Sequence, residues 1–179
     1  VNLVIDGQHV AHTPRVQSDR SWKTRLSKSE KGWEVAVSQD AQTLRKRHGL
    51  QGPIDDAFMD SFIIVRPTGK AWYPKVAKWA ESEQAHAIEH WRRHFRGEAR
   101  VKDDVEITDA DIASSNLILF GDPSSNRVLT KILDSLPIRW TAGGVVVGDK
   151  KYDGKTHAPI MIYPNPLNPD RYIVLNSGF

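Results

Sequence analysis

The stretch from Asn116 to Asn126 limits what this chain can become. Leu117, Ile118, Leu119 and Phe120 are four apolar residues in a row. A strand wet on one side alternates apolar and polar; an unbroken run reads as a strand covered on both faces. Gly121-Asp122-Pro123 then breaks the strand, and Ser124 or Ser125 stands where a hydroxyl can cap a new helix. Val128, Leu129, Ile132, Leu133 and Leu136 fall on one stripe of that helix. Strand, polar turn and amphipathic helix make one βα unit of a parallel sheet.

The flanking sequence supplies further elements. Asn2 to Val10 reads as two strands around an Asp6-Gly7 turn. Trp22–Leu26 and Trp33–Val37 read as strands joined by the Lys28–Gly32 loop, so residues 1–48 are expected to form a small β meander. Ala41 to Arg47 reads as a short helix ended by His48-Gly49. Residues 49–179 are expected to form the main α/β domain. Phe62–Val65 is a second buried strand. Pro74 suits the first turn of a long helix reaching Arg96, with Gly97 as its cap. A charged connector and a short helix over Asp109–Ser114 lead to the central strand. Ile138–Thr141 is expected beside Phe62–Val65 and Leu117–Phe120 as a parallel neighbour. Val145–Val147 and Lys150–Tyr152 flank a hairpin turn, and Ala158–Tyr163 and Tyr172–Asn176 are expected to be antiparallel, because their link is too short for a crossover helix.

Composition narrows the function classes. The 179 residues hold no cysteine, which removes disulfides, thiolate metal sites and cysteine nucleophiles. No apolar run approaches the ~20 residues that span a bilayer, so no membrane partner is expected. Val1 opens directly in strand-like sequence, so no signal peptide is expected, and the missing initiator Met suggests a mature or excised fragment. Residues 1–48 carry 9 Lys and Arg against 5 Asp and Glu, and the rest carries 16 against 17. The basic excess, with Arg45-Lys46-Arg47 as its clearest cluster, lacks the aromatic interleaving of a nucleic-acid surface, and none is expected as a partner.

Three groups of residues bear on chemistry. His86-Ala-Ile-Glu89-His90 has the inverted zinc-protease spacing, with two imidazoles one turn apart and a carboxylate beside them. A third ligand is missing, since no Glu follows Glu106, so His86 and His90 give only an alternative metal-dependent hydrolase. Asp122, Ser124 and His157 suggest a triad, but the turn lacks the G-x-S-x-G elbow. The loop of Gly121, Asp122, Ser124, Ser125 and Asn126 is the candidate ligand-binding site, because helix amides gather there. Its competing reading is a self-capped helix holding no guest. Asp55, Asp56 and Asp60 follow Pro53 and read as helix-capping carboxylates.

Gly49–Phe62, His90–Gly97, Ser115–Asn126, Tyr163–Tyr172 and Val174–Gly178 resemble the C-terminal region of large bacterial proteins. Those proteins are similar to prolyl-oligopeptidase-like peptidases and esterases of the α/β-hydrolase class. The resemblance implies that a hydrolase domain carrying a Ser-Asp-His triad precedes this region, and that the parent protein is exported. No triad motif lies here, so no catalytic residue carries over. The resulting expectation is a non-catalytic ancillary domain with no cofactor. Its fold should be α/β, a Rossmann-like or flavodoxin-like layered sheet that is mainly parallel. Its partner would be the catalytic α/β-hydrolase domain of its own parent chain; a homo-oligomer stays open.

Overall fold

The computed structural model describes residues 2–13, 20–22, 24–36, 44–47 and 49–179. The chain divides into two compact units, Val1–Thr43 and Leu44–Phe179, five residues earlier than the expected boundary.

In the first unit, β1 (Asn2–Ile5) and β2 (Gln8–Ala11) form the antiparallel hairpin expected around Asp6-Gly7. Both turn residues have positive φ, 52° and 77°, the conformation that suits a two-residue hairpin and favours Asp-Gly. The second hairpin joins β3 (Leu26–Ser29) to β4 (Gly32–Val35). It is tighter than expected and its first strand is displaced: Lys28 and Ser29 are in β3, while Trp22, Thr24 and Arg25, expected in that strand, are not. The side chain of Gln8 ties the hairpins together: its Nε2 donates to Trp33 O (2.7 Å) and its Oε1 accepts from Trp33 N (2.6 Å). The Asp6 carboxylate accepts from Trp33 Nε1 and Lys28 Nζ, bonds that hold it below the usual carboxylate range. Of the helix expected over Ala41–Arg47, Ala41 to Thr43 lie outside the described residues, as does His48; Leu44 to Lys46 are not helical.

The second unit is a mixed α/β structure around one five-stranded sheet. A 3-10 turn over Ile54–Phe58 leads into β5 (Phe62–Arg66). α1 (Pro74–Phe95) follows, then β6 (Val101–Asp103), a second 3-10 turn over Asp104–Glu106, and α2 (Asp109–Ser114). Next come β7 (Asn116–Leu119), α3 (Arg127–Ile132) and a 3-10 turn over Leu133–Ser135. β8 (Arg139–Thr141), β9 (Gly144–Val147) and β10 (Lys150–Tyr152) precede the last pair, β11 (Met161–Asn165) and β12 (Asn168–Leu175). The main sheet has the order β11-β12-β7-β5-β6. Its β12, β7, β5 and β6 run parallel, and β11 is the antiparallel edge, as its short link to β12 demands.

Pleating assigns the core. Ile63, Val65, Leu117, Leu119, Ile173 and Leu175 point to one face, against Val128, Leu129 and Ile132 of α3 and Trp140 and Val145. Phe62, Ile64, Ile118, Phe120 and Val174 point to the other, against Ala87, Ile88 and Trp91 of α1. There Phe179 stands edge-on to Phe58, Trp91 and Phe95, with ring centroids 4.9–6.1 Å apart.

Several expectations need correction. Ile138–Thr141 does not join the main sheet: β8 pairs antiparallel with β9, in a separate sheet of order β10-β9-β8, and β12 takes the parallel place beside β7. β6 lies in what reads as a charged connector. α1 ends on Arg96, not Gly97; Arg96 takes the left-handed conformation (φ 56°) and its N–H bonds Arg92 O. Asp55 and Asp56 lie in the first turn of their 3-10 helix, but no side chain caps it. Asp56 instead accepts from Tyr172 Oη (2.6 Å), and Asp60 accepts from Ser61 N and pairs with Arg171.

Candidate functional site at the carboxyl edge of the sheet

β5, β6, β7 and β12 run parallel, so their carboxyl ends gather at one edge, where α/β sheets hold ligands. All five residues of the expected loop are there. Asn126, not Ser124 or Ser125, caps α3: its Oδ1 accepts from Val128 N (3.0 Å) and Leu129 N (3.1 Å), while its Nδ2 donates to Phe120 O. The amide carries its acceptor and its donor on separate atoms, so Asn126 reaches the helix amides with one and the strand end with the other, whereas a serine must do both from a single oxygen. Ser125 Oγ accepts from Asp122 N and donates to Asp122 O, and Ser124 Oγ donates to Lys70 O (2.8 Å).

Asp122 is 4% exposed, and among the described residues no Lys or Arg side chain forms an ion pair with it. One oxygen accepts from Ser124 N and Ser125 N (3.0 and 2.9 Å), the other from Trp72 N (2.9 Å). Backbone donors thus stabilise the buried charge. Asp104 repeats the device: Oδ1 accepts from Thr68 N (3.1 Å) and Oδ2 from Arg127 N (2.6 Å). The first three amides of α3 are therefore occupied, by Asp104 and Asn126, and the next, Thr130 N, bonds Asn126 O. Asn176, left-handed at φ 49°, closes the last gap: its Oδ1 accepts from Gly121 N (2.8 Å) and its Nδ2 donates to Gly121 O (3.1 Å). Gly121 has φ 96°, and a Cβ there would stand 2.6 Å from Ser125 Oγ, so only glycine fits.

The edge is therefore a lattice tying four loops together, and its loop is capped on itself. The Ser124 and Ser125 hydroxyls donate to backbone carbonyls, of Lys70 and Asp122, rather than to a side-chain base. His157 Nδ1 lies against Asp153 O and Thr156 Oγ1, so Asp122, Ser124 and His157 form no triad.

The histidines of α1 form a ladder. His90 and His94 stack at 3.9 Å, and His86 meets His90 edge-on at 5.6 Å. Partial desolvation, with His94, His86 and Arg93 nearby, holds His90 below the ordinary imidazole value. Glu89, the would-be base, pairs with Arg93 (2.6 Å). Among the described residues no three His, Asp or Glu side chains are placed to hold a metal, and no helix is long and apolar enough to cross a membrane.

Sequence reasoning missed Asp104, Trp72 and Asn176. Asp104 had a local signal, since Asp103-Asp-Val-Glu106 is a capping box that announces a helical turn. Trp72 N and Asn176 act across 50 and 55 residues, and no local pattern reports them. No family model, no curated protein and no solved structure matches the chain.

Proposed function

We propose that this chain is a non-catalytic ancillary domain of a hydrolase-like polypeptide, packing on or assembling with a catalytic α/β-hydrolase domain. One observation carries the reading: the edge where an α/β sheet would bind substrate is sealed by its own hydrogen bonds. Both oxygens of Asp122 and of Asp104 accept from backbone amides, and both residues are almost wholly buried, so little of either carboxylate is open to a guest. The resemblance of Ser115–Asn126 and Tyr163–Tyr172 to the region after the catalytic domain supplies the partner. The parallel order β6-β5-β7-β12, with α1 on one face and α3 on the other, supports a flavodoxin-like layered fold.

The test has two parts. The coding sequence upstream of Val1 is expected to specify a Ser-Asp-His hydrolase domain; an unrelated or absent upstream domain overturns the proposal. The purified chain is expected to leave ester and peptide substrates intact. Turnover abolished by Ser124→Ala or by a chelator would show a working site and refute the non-catalytic reading.

A further inference from the structure

The histidines of α1 lie apart from the sealed edge, and the proposed function leaves them unused. His86, His90 and His94 follow one another at single-turn spacing; His86 and His94 are exposed and His90 is half-buried. Among the described residues no other two histidines are in ring contact.

Spacing alone does not make a ligand pair; ring separation and a free lone pair must fit as well. Two imidazoles bound at right angles to one ion have ring centroids about 4.5 Å apart, since metal–nitrogen bonds are about 2 Å long. His90 and His94 stand at 3.9 Å and His86 and His90 at 5.6 Å. The first pair lies closer to the required separation, and both of its rings are open enough to turn and meet it. Its tautomer is set in advance. His94 Nδ1 donates to His90 O (3.0 Å), because a carbonyl only accepts, so the lone pair of neutral His94 is on Nε2. Metal-binding histidines have this arrangement, one ring nitrogen fixed by a carbonyl and the other free for the ion. His90 is held below the ordinary imidazole value, so protons compete less for it near neutrality.

The donor set selects the ion. Glu89, the carboxylate within the ladder, is drawn to Arg93 (2.6 Å), which leaves nitrogen ligands. Zn²⁺ sites take three or four protein ligands, and among the described residues no third side chain converges here. Cu²⁺ binds a given nitrogen site more tightly than the other divalent first-row ions do, and it favours a tetragonal plane of nitrogen and oxygen ligands.

We propose that His90 and His94 form a bidentate site for Cu²⁺, with water filling its remaining positions. The site is independent of the function proposed above.

The experiment titrates the chain, acetylated at its amino terminus to remove a competing amine, with CuCl2. Calorimetry gives the affinity, and electron paramagnetic resonance counts the nitrogens on the first equivalent, expected to be two. His90→Ala and His94→Ala are each expected to weaken binding of that equivalent by at least about tenfold. His86→Ala and His157→Ala should leave it unchanged. Circular dichroism in metal-free buffer checks that each variant is folded, and the exposed His94 decides the matter should His90→Ala fail to fold. Binding that survives His94→Ala overturns the proposal. So does binding lost in His86→Ala but kept in His94→Ala, which moves the ion to the other pair. A first equivalent indifferent to every α1 variant lies elsewhere on the chain and overturns it as well.

Discussion

Asp122→Ala tests whether the edge is sealed by design or merely empty of a guest. The carboxylate accepts three amides, but their dependence on it differs. Ser125 N also bonds Asp122 O (3.0 Å), which the substitution keeps. Ser124 N and Trp72 N lose their hydrogen-bond acceptor in the partly buried loop. A hydrogen bond to a charged group contributes about 1.5–3 kcal/mol, and burying the carboxylate has a cost that alanine removes. The net loss is expected to be about 3 kcal/mol, a fall in Tm of roughly 6–12 °C for a chain of this size. Asp122→Asn keeps one acceptor but turns an NH2 toward a backbone donor, so it should lose about half as much. Circular dichroism melts give the stability; amide exchange at Trp72 and Ser124, expected to quicken, gives the location. An unchanged melt would refute the argument. A higher Tm would be worse for it, since a buried carboxylate that destabilises the fold is the mark of one kept for a ligand.

Leu119→Ala removes a side chain with no exposed surface from the central strand and should cost about 2–5 kcal/mol, read by denaturant unfolding. The Lys102 ammonium, with Thr108 N, holds the Asp111 carboxyl at about 2, against an ordinary 3.8. A lowered folded pKa stabilises the protein above the unfolded value and stops doing so as pH falls through the folded one. The stability of the wild type over Asp111→Asn should therefore be full above 3.8 and gone by about 2, measured by unfolding across that range. Equimolar Zn²⁺ should leave the melt unchanged, and a rise in Tm lost in His86→Ala would revive the metal site.

What could be read in advance followed from how far each signal reaches along the chain. Phe62–Val65 and Leu117–Phe120 were legible because a doubly covered strand must be apolar at every position. α1 was legible from Pro74 and its stripe, and the first hairpin from Asp6-Gly7. Ile138-Arg-Trp-Thr141 has a different pattern. It alternates, and in β8 only Trp140 of the three residues is buried, the mark of a strand covered on one side. Its replacement in the main sheet, β12, pairs with β7 across 56 residues, Ile173 beside Leu117, and only tertiary packing chooses it. The sequence places a turn over Gly121–Asn126 and offers Ser124 or Ser125 as the helix cap, whereas Asn126 holds that place in the structure. Asp, Ser and Asn suit guests and caps equally well, so composition does not choose between them. The choice lies in how many backbone donors come within reach, and Trp72 and Arg127 meet their carboxylates only after folding.

The crevice between β5 and β7 shows how that choice is enforced. The chain passes from β5 outward to β6 and then back across β5 to β7, so the loops after β5 and β7 leave the sheet where the strand order reverses. Such loops diverge around a ligand in sheets that bind one there. Here they converge: Gly69 N donates to Ser125 O (2.8 Å), and a Cβ at Gly69 would lie 2.9 Å from Ser124 O and 3.0 Å from Ser125 O. Those are backbone atoms, which cannot rotate aside as a side chain would. Gly69→Ala must therefore move one loop from the other, stretching the Gly69–Ser125 bond and the neighbouring Trp72–Asp122 bond together. Overpacking of this kind costs about 1–3 kcal/mol. If the close approach seals the edge, exchange at Gly69 and Trp72 should quicken while amides of β12 hold their rates. If the melt and both amides are unchanged, the loops have slack, and the seal rests on the two carboxylates alone.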